Sequence, residues 1–327
     1  MLAVGPNGAG KTNLLEALHV GTQGFSPRTR TDAQLIRFGE TAARVELQGR
    51  REGAPLQLQL TLQLNEGKRA VLNGSRLSAA EQLRSEVATL VFTPDRLAVV
   101  KGGPAARRAY FDRVVGRLSP SRAGLSAEYG AAVAQRNASL RRIAGGFSSR
   151  DALTPWTERV AELGAQLVEA RVRALAELAP RFAERAEELG LPSGLLDYAA
   201  DPPTRDALEA RLERDLERGV TGVGPHLDDV TIASGSRDLR AFGSQGEQRM
   251  AVLSLLLAEY ELLVARGRTP LLLLDDVLSE LDERRRRILA ERIRSSGQTL
   301  VTATSADMLP SAPDQLIEVT PGAARVA

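Results

Sequence analysis

The run Gly5-Pro6-Asn7-Gly8-Ala9-Gly10-Lys11-Thr12 carries residue types that grip phosphate. Glycines let backbone N–H groups turn inward toward anionic oxygens. A lysine adds a point charge for the outer phosphates, and a threonine hydroxyl suits Mg2+. Far along the chain, Leu271-Leu272-Leu273-Leu274 ends in Asp275-Asp276. Asp275 is placed to hold Mg2+ together with Thr12. Asp276, next in line, could accept a proton from an attacking water. Lys11 and Asp276 are therefore the expected catalytic pair, and Gly5 through Asn13 the expected nucleotide-binding residues.

These groups need elements to position them. Leu2-Ala3-Val4 predicts a strand before the loop. Asn13 to His19 predicts a helix whose positive dipole end faces the nucleotide. The four leucines after Pro270 predict a buried parallel strand. A chance glycine turn or an ordinary core strand explains each run alone. Together they favour ATP and Mg2+ as cofactors.

A third run, Phe242-Gly243-Ser244-Gln245-Gly246-Glu247-Gln248, opens a very apolar helix predicted over Met250 to Leu263. Ser-Gln-Gly alone is usually a helix cap. Shortly before the leucine strand it resembles the signature motif of ABC-type ATPases, where one subunit's serine meets the γ-phosphate held by the other. That resemblance implies a role in trans for Ser244, Gln245, Gly246 and Gln248. Ser279-Glu280-Leu281-Asp282 resembles the D-loop of the same proteins, which singles out Ser279 and Asp282.

Composition narrows the classes. The chain has 327 residues, no cysteine and two histidines. Disulfides, thiolate sites and histidine-rich metal sites are excluded. Apolar runs are too short to span a bilayer, so the expected setting is cytoplasmic, without a membrane partner. Leu56, Leu58, Leu60, Leu62 and Leu64 alternate with polar residues, which predicts a half-buried antiparallel strand. Arg44 to Arg50 and Arg69 to Leu72 are predicted beside it, and Ala88 to Thr93 forms another strand. Beyond Gly102-Gly103-Pro104 the pattern turns helical to about Leu189, with Trp156, Val160, Leu163 and Leu167 on one stripe. A single helix is predicted over Arg205 to Arg218.

Lys101 to Arg150 holds ten basic residues against Asp112 and Glu128, a net +8 on a chain of formal charge +2. Such a segment is the footprint of a polyanion, with a solvated arginine-rich face as the alternative. Arg107, Arg108, Arg136, Arg141 and Arg142 are the expected DNA contacts.

The combination resembles the RecF family of bacterial DNA replication and repair ATPases. The likeness runs through Asn7 to Ala17, Leu35-Ile36-Arg37-Phe38-Gly39, Phe92-Thr93-Pro94-Asp95, Gly102 to Asp112, Gln135-Arg136-Asn137, Gly224-Pro225-His226 and the leucine–aspartate run. It implies an α/β fold: an ABC-ATPase head, that is, a P-loop NTPase with an antiparallel β subdomain, plus an inserted helical lobe. Residues 1–102 with 220–327 are expected to form the ATPase domain, and 103–219 the lobe for DNA binding or dimerisation. Further implications are an ATP-dependent homodimer on duplex DNA and single-strand/double-strand junctions, slow hydrolysis, and RecA loading with RecO and RecR in the SOS response. Members carry about thirty residues before the phosphate loop, in strands that edge the site; here the loop follows Val4. The alternatives are a transporter-energising ABC ATPase, which the long basic insert disfavours, and a module that holds ATP without hydrolysis.

Overall fold

The computed structural model describes every residue except Arg30, Glu52, Ala200, Ser295 and Ser296. In chain order the elements that matter are β1 (Leu2–Val4), α1 (Lys11–Gln23), β2 (Ala42–Arg51), β3 (Ala54–Gln63), β4 (Gly67–Leu72), β5 (Ser75–Arg76) and β6 (Thr89–Phe92). Three long helices follow: α2 (Pro104–Leu118), α3 (Leu125–Ala144) and α4 (Thr154–Glu188). After them come β7 (Gly194–Asp197), β8 (Thr231–Ser234), β9 (Arg237–Asp238) and α5 (Gln245–Ala265). The chain closes with β10 (Leu271–Leu274), α6 (Glu283–Arg294), β11 (Gln298–Ala303), β12 (Leu316–Thr320) and β13 (Ala323–Val326).

Contacts divide the chain into two compact units, Met1–Arg96 with Leu263–Ala327, and Leu97–Leu262. The first unit holds a six-stranded sheet in the order β13-β12-β1-β11-β10-β6. Only the β12–β13 pairing is antiparallel. The leucine strand β10 lies between β11 and β6, and Leu272, Leu273 and Leu274 are fully buried. Burial on both faces is what an uninterrupted leucine run encodes. Ala3, Ala9, Leu15, Val91, Leu273, Leu300 and Val319 form the core that seats α1 on this sheet.

The same unit carries the antiparallel sheet β2-β3-β4-β5. Its inner face is the alternating leucine set: Leu58, Leu60 and Leu62 are buried with Val20 of α1. Each such side chain contributes about 1.5–3 kcal/mol through burial. Leu64 falls just past the strand and is exposed.

The second unit is mostly helical. Helix α4 runs unbroken for 35 residues, with Pro155 in its first turn and Pro180 inside it. Pro155 thus begins a helix, as proline's fixed φ and missing N–H allow. The stripe Val160, Leu163, Leu167, Leu175, Leu178 and Phe182 is buried. The predicted Arg205–Arg218 helix is two short ones, Arg205–Ala210 and Leu212–Arg218. Strands β7 and β9 flank β8 in a small third sheet.

Candidate nucleotide site

Parallel strands deliver the chemistry from their carboxyl ends. The turn after β1 is the phosphate loop, and Gly5 has no room for a side chain: a Cβ there would lie 2.3 Å from the Val319 carbonyl oxygen. Gly10, at φ 105°, caps α1 in a conformation that a Cβ disfavours. Helix α1 therefore starts under the loop with its first N–H groups directed to the cleft.

Thr12, on the first turn of α1, donates from Oγ1 to both oxygens of Asp275, at 2.9 and 3.1 Å. This contact joins the loop to the end of β10. Lys11 is buried, and its Nζ donates to the carbonyls of Gly5 at 2.7 Å and Pro6 at 3.0 Å. A cleft of about 330 Å3 is lined by Asn7, Gly8, Gly10, Lys11, Thr12, Asn13, Asp275 and Asp276. Ala9 instead packs into the core beneath.

Two further residues line this cleft that the sequence reading missed, Arg28 and Thr302. Arg28 leaves the turn after α1 and reaches Glu16 at 3.3 Å, while Ser26 also donates to Glu16. No spacing signal marks an arginine in such a loop. Thr302 had a signal: it is a polar residue at the end of an apolar parallel strand, where ligand clefts form.

Asp276 adopts a left-handed conformation, φ 49° and ψ 27°, which is costly for a residue with a Cβ. Its Oδ1 is buried without a hydrogen-bond partner among the described residues. A hydroxyl, a carboxylate and a second carboxylate at the cleft fit Mg2+, which takes few protein oxygens and completes its shell with phosphate and water. Loop amides, an α1 N-terminus and a buried lysine fit a nucleotide triphosphate tail.

In the D-loop, Ser279 Oγ donates to the Asp276 carbonyl at 2.8 Å. Asp282 caps α6, accepting from the Arg285 N–H at 2.8 Å.

The signature residues lie in the second unit. Ser244 and Glu247 form a capping box: the Ser244 N–H donates to Glu247 at 2.8 Å, and the Glu247 N–H to Ser244 Oγ at 3.2 Å. The Ser244 amide and the Arg237 guanidinium hold the Glu247 carboxyl below its usual range. Ser244, Gln245 and Gly246 are exposed. Gln248 is not; it is buried and donates to the Leu239 carbonyl at 2.8 Å. Its expected part in a trans contact is corrected accordingly: it anchors the interior.

Two expected DNA contacts are corrected for the same reason. Arg107 is buried, with Nε donating to Asp229 at 2.6 Å. Arg136, 1% exposed, meets Asp215 at 2.8 Å and Thr221 at 2.9 Å. Arginines so placed fix the fold and present no charge to a polyanion. Arg108 is half-buried and donates to the Asp228 carbonyl, whereas Arg141 and Arg142 are exposed.

Gly224-Pro225-His226 is structural. Tyr129 Oη donates to His226 Nδ1 at 2.7 Å, and His226 Nε2 donates to the Thr221 carbonyl at 3.0 Å. Burial pushes the His226 pKa down and the Tyr129 pKa up. Arg171 ties the same loop to α2, donating to the Pro225 carbonyl at 2.8 Å and to Asp112 of α2 at 2.7 Å.

Phosphate loop, aspartate-tipped parallel strand, antiparallel side sheet and helical insert define a P-loop ATPase fold of the ABC type. The RecF/RecN/SMC N-terminal domain family matches residues 1–326. The chain is 38% identical to the DNA replication and repair protein RecF of Streptomyces avermitilis, over 94% of this chain and 88% of that protein. With the protein of the same name from Myxococcus xanthus it shares 40%, over 93% and 84%. A solved structure of the recombination mediator protein RecF-ATP superposes with TM-score 0.89 at 28% identity, covering all of this chain and 91% of that one. Smc head domains share the fold, one with TM-score 0.58 at 16% identity. The chain belongs to the RecF family.

Proposed function

We propose that this chain is an ATP-switched DNA-binding protein of recombinational repair. The observation that carries the reading is the Thr12–Asp275 contact, which assembles a hydroxyl, a carboxylate and the phosphate loop at one cleft. Lys11 and the amides of Gly8 to Asn13 hold phosphates. Thr12 and Asp275 hold Mg2+, which when bound neutralises charge on the phosphates. Asp276 orients a water and takes its proton, so the protein is a slow ATPase whose nucleotide acts as a switch.

Similarity to the RecF proteins and to the RecF-ATP structure supports ATP as the nucleotide and repair as the setting. The exposed Ser244-Gln245-Gly246 helix start supports closure in trans, each copy capping the nucleotide held by the other. Ser279 and Asp282 line the seam of that dimer. Residues 1–102 with 220–327 serve as the ATPase part, and 103–219 as the helical lobe. Arg108, Arg141 and Arg142 meet duplex DNA and single-strand/double-strand junctions. In the cytoplasm the dimer marks gaps and, with RecO and RecR, promotes RecA loading and the SOS response.

The test is DNA binding by the full chain with and without ATP. ATP-dependent, salt-sensitive binding is expected. Equal binding without nucleotide would contradict the switch.

A further inference from the structure

At the end of β11 one buried hydroxyl makes two bonds. Thr302 is 0% exposed. Its Oγ1 donates to Asp275 Oδ1 at 2.8 Å and accepts the backbone N–H of Asp276 at 2.9 Å. Asp275 Oδ1 also receives Thr12 Oγ1 at 3.1 Å. The same hydroxyl thus touches the carboxylate placed for Mg2+ and the backbone of the carboxylate placed for water.

Each bond has a consequence. Donation from Thr302 orients the Asp275 carboxylate and leaves its other oxygen, Oδ2, for Thr12 and a cation. Acceptance from Asp276 fixes a residue whose left-handed backbone must be held by its surroundings. Once the N–H is tied, the Asp276 side chain projects with Oδ1 unpartnered among the described residues. A valine there would take the acceptor from the part-buried Asp276 N–H and leave Thr12 as the side-chain donor that holds the Asp275 carboxylate.

We propose that Thr302 is a positioning residue that locks Asp275 and Asp276 in register, so that metal binding and water orientation are set by one hydroxyl on a neighbouring strand. The assignment rests on the ATP-hydrolysing reading above and deepens it. Thr302 acts through these two aspartates.

The test uses the full chain with Thr302→Val and Thr302→Ser, and a fluorescent ATP analogue as probe. Binding is measured first in EDTA and then across a Mg2+ titration; single-turnover hydrolysis is followed separately. For Thr302→Val, affinity in EDTA stays at the wild-type level. The Mg2+ needed for half-maximal tightening rises about tenfold or more, and turnover falls. Thr302→Ser, which keeps the hydroxyl, restores both. An unchanged Mg2+ requirement in Thr302→Val overturns the assignment, as does a serine variant that behaves like valine. Should the valine variant not fold, Thr302→Ala carries the same comparison. Wild-type protein that fails to bind the analogue overturns the underlying ATP reading instead, which separates the two failures.

Discussion

Thr12 and Asp275 are separated by 263 positions and meet through one hydroxyl and two carboxylate oxygens. The pairing is the product of topology. Parallel strands β1 and β10 flank β11, so their carboxyl ends open on the same side. The first prediction follows. Thr12→Val removes the donor and leaves the Asp275 carboxylate, among the described residues, with the Thr302 hydroxyl as its remaining side-chain donor. Nucleotide binding in the presence of Mg2+ should weaken about tenfold or more, while the thermal midpoint without nucleotide changes little. Isothermal titration with ATP and Mg2+ checks the first, and a melting curve the second.

The buried arginines give a second prediction. Arg136 and Asp215 are 1% and 2% exposed and paired at 2.8 Å. Arg136→Met strands the Asp215 carboxylate and should cost about 3–5 kcal/mol in urea unfolding. Arg142→Ala, at an exposed position, should cost within about 0.5 kcal/mol. Its effect belongs to DNA: weaker binding and a salt dependence shallower by about one unit. A stability loss of equal size in both variants would contradict this division.

The charge excess in Lys101–Arg150 shows what a sequence window conceals. Arg107 pairs with Asp229, Arg117 with the buried Glu259, Arg122 with Glu169, Arg136 with Asp215 and Arg150 with Glu213. Every one of those acids lies outside the segment, so much of its +8 is neutralised inside the same unit. The leucine alternation of β3 and the leucine run of β10 were legible because burial on one face or two leaves a period. The phosphate loop was legible because its glycines and lysine lie close together in the chain. Thr302, Arg28 and the buried role of Gln248 were not. Each depends on which strand or turn lies alongside, and pairing over long separations leaves no local pattern.

His226 supplies a third prediction, in pH. Its pKa is lowered in the folded state, chiefly by burial. The unfolded chain therefore binds the proton more readily than the native one. Stability from this group is fully present above the ordinary histidine value of about 6.5 and is lost as pH falls toward the folded value. Urea midpoints should drop between about pH 7 and pH 5. His226→Gln should lower the midpoint at neutral pH and flatten the slope. An unchanged slope would remove His226 from the acid response.

The central claim is a nucleotide site completed by a second copy, with Ser244 reaching the phosphates held by its partner. Light scattering on the full chain with DNA, with and without ATP and Mg2+, tests it most directly. The wild type should double its mass only with ATP. Ser244→Arg should bind ATP as the wild type does and remain a monomer. Equal ATP-dependent dimerisation by wild type and Ser244→Arg would contradict the shared site.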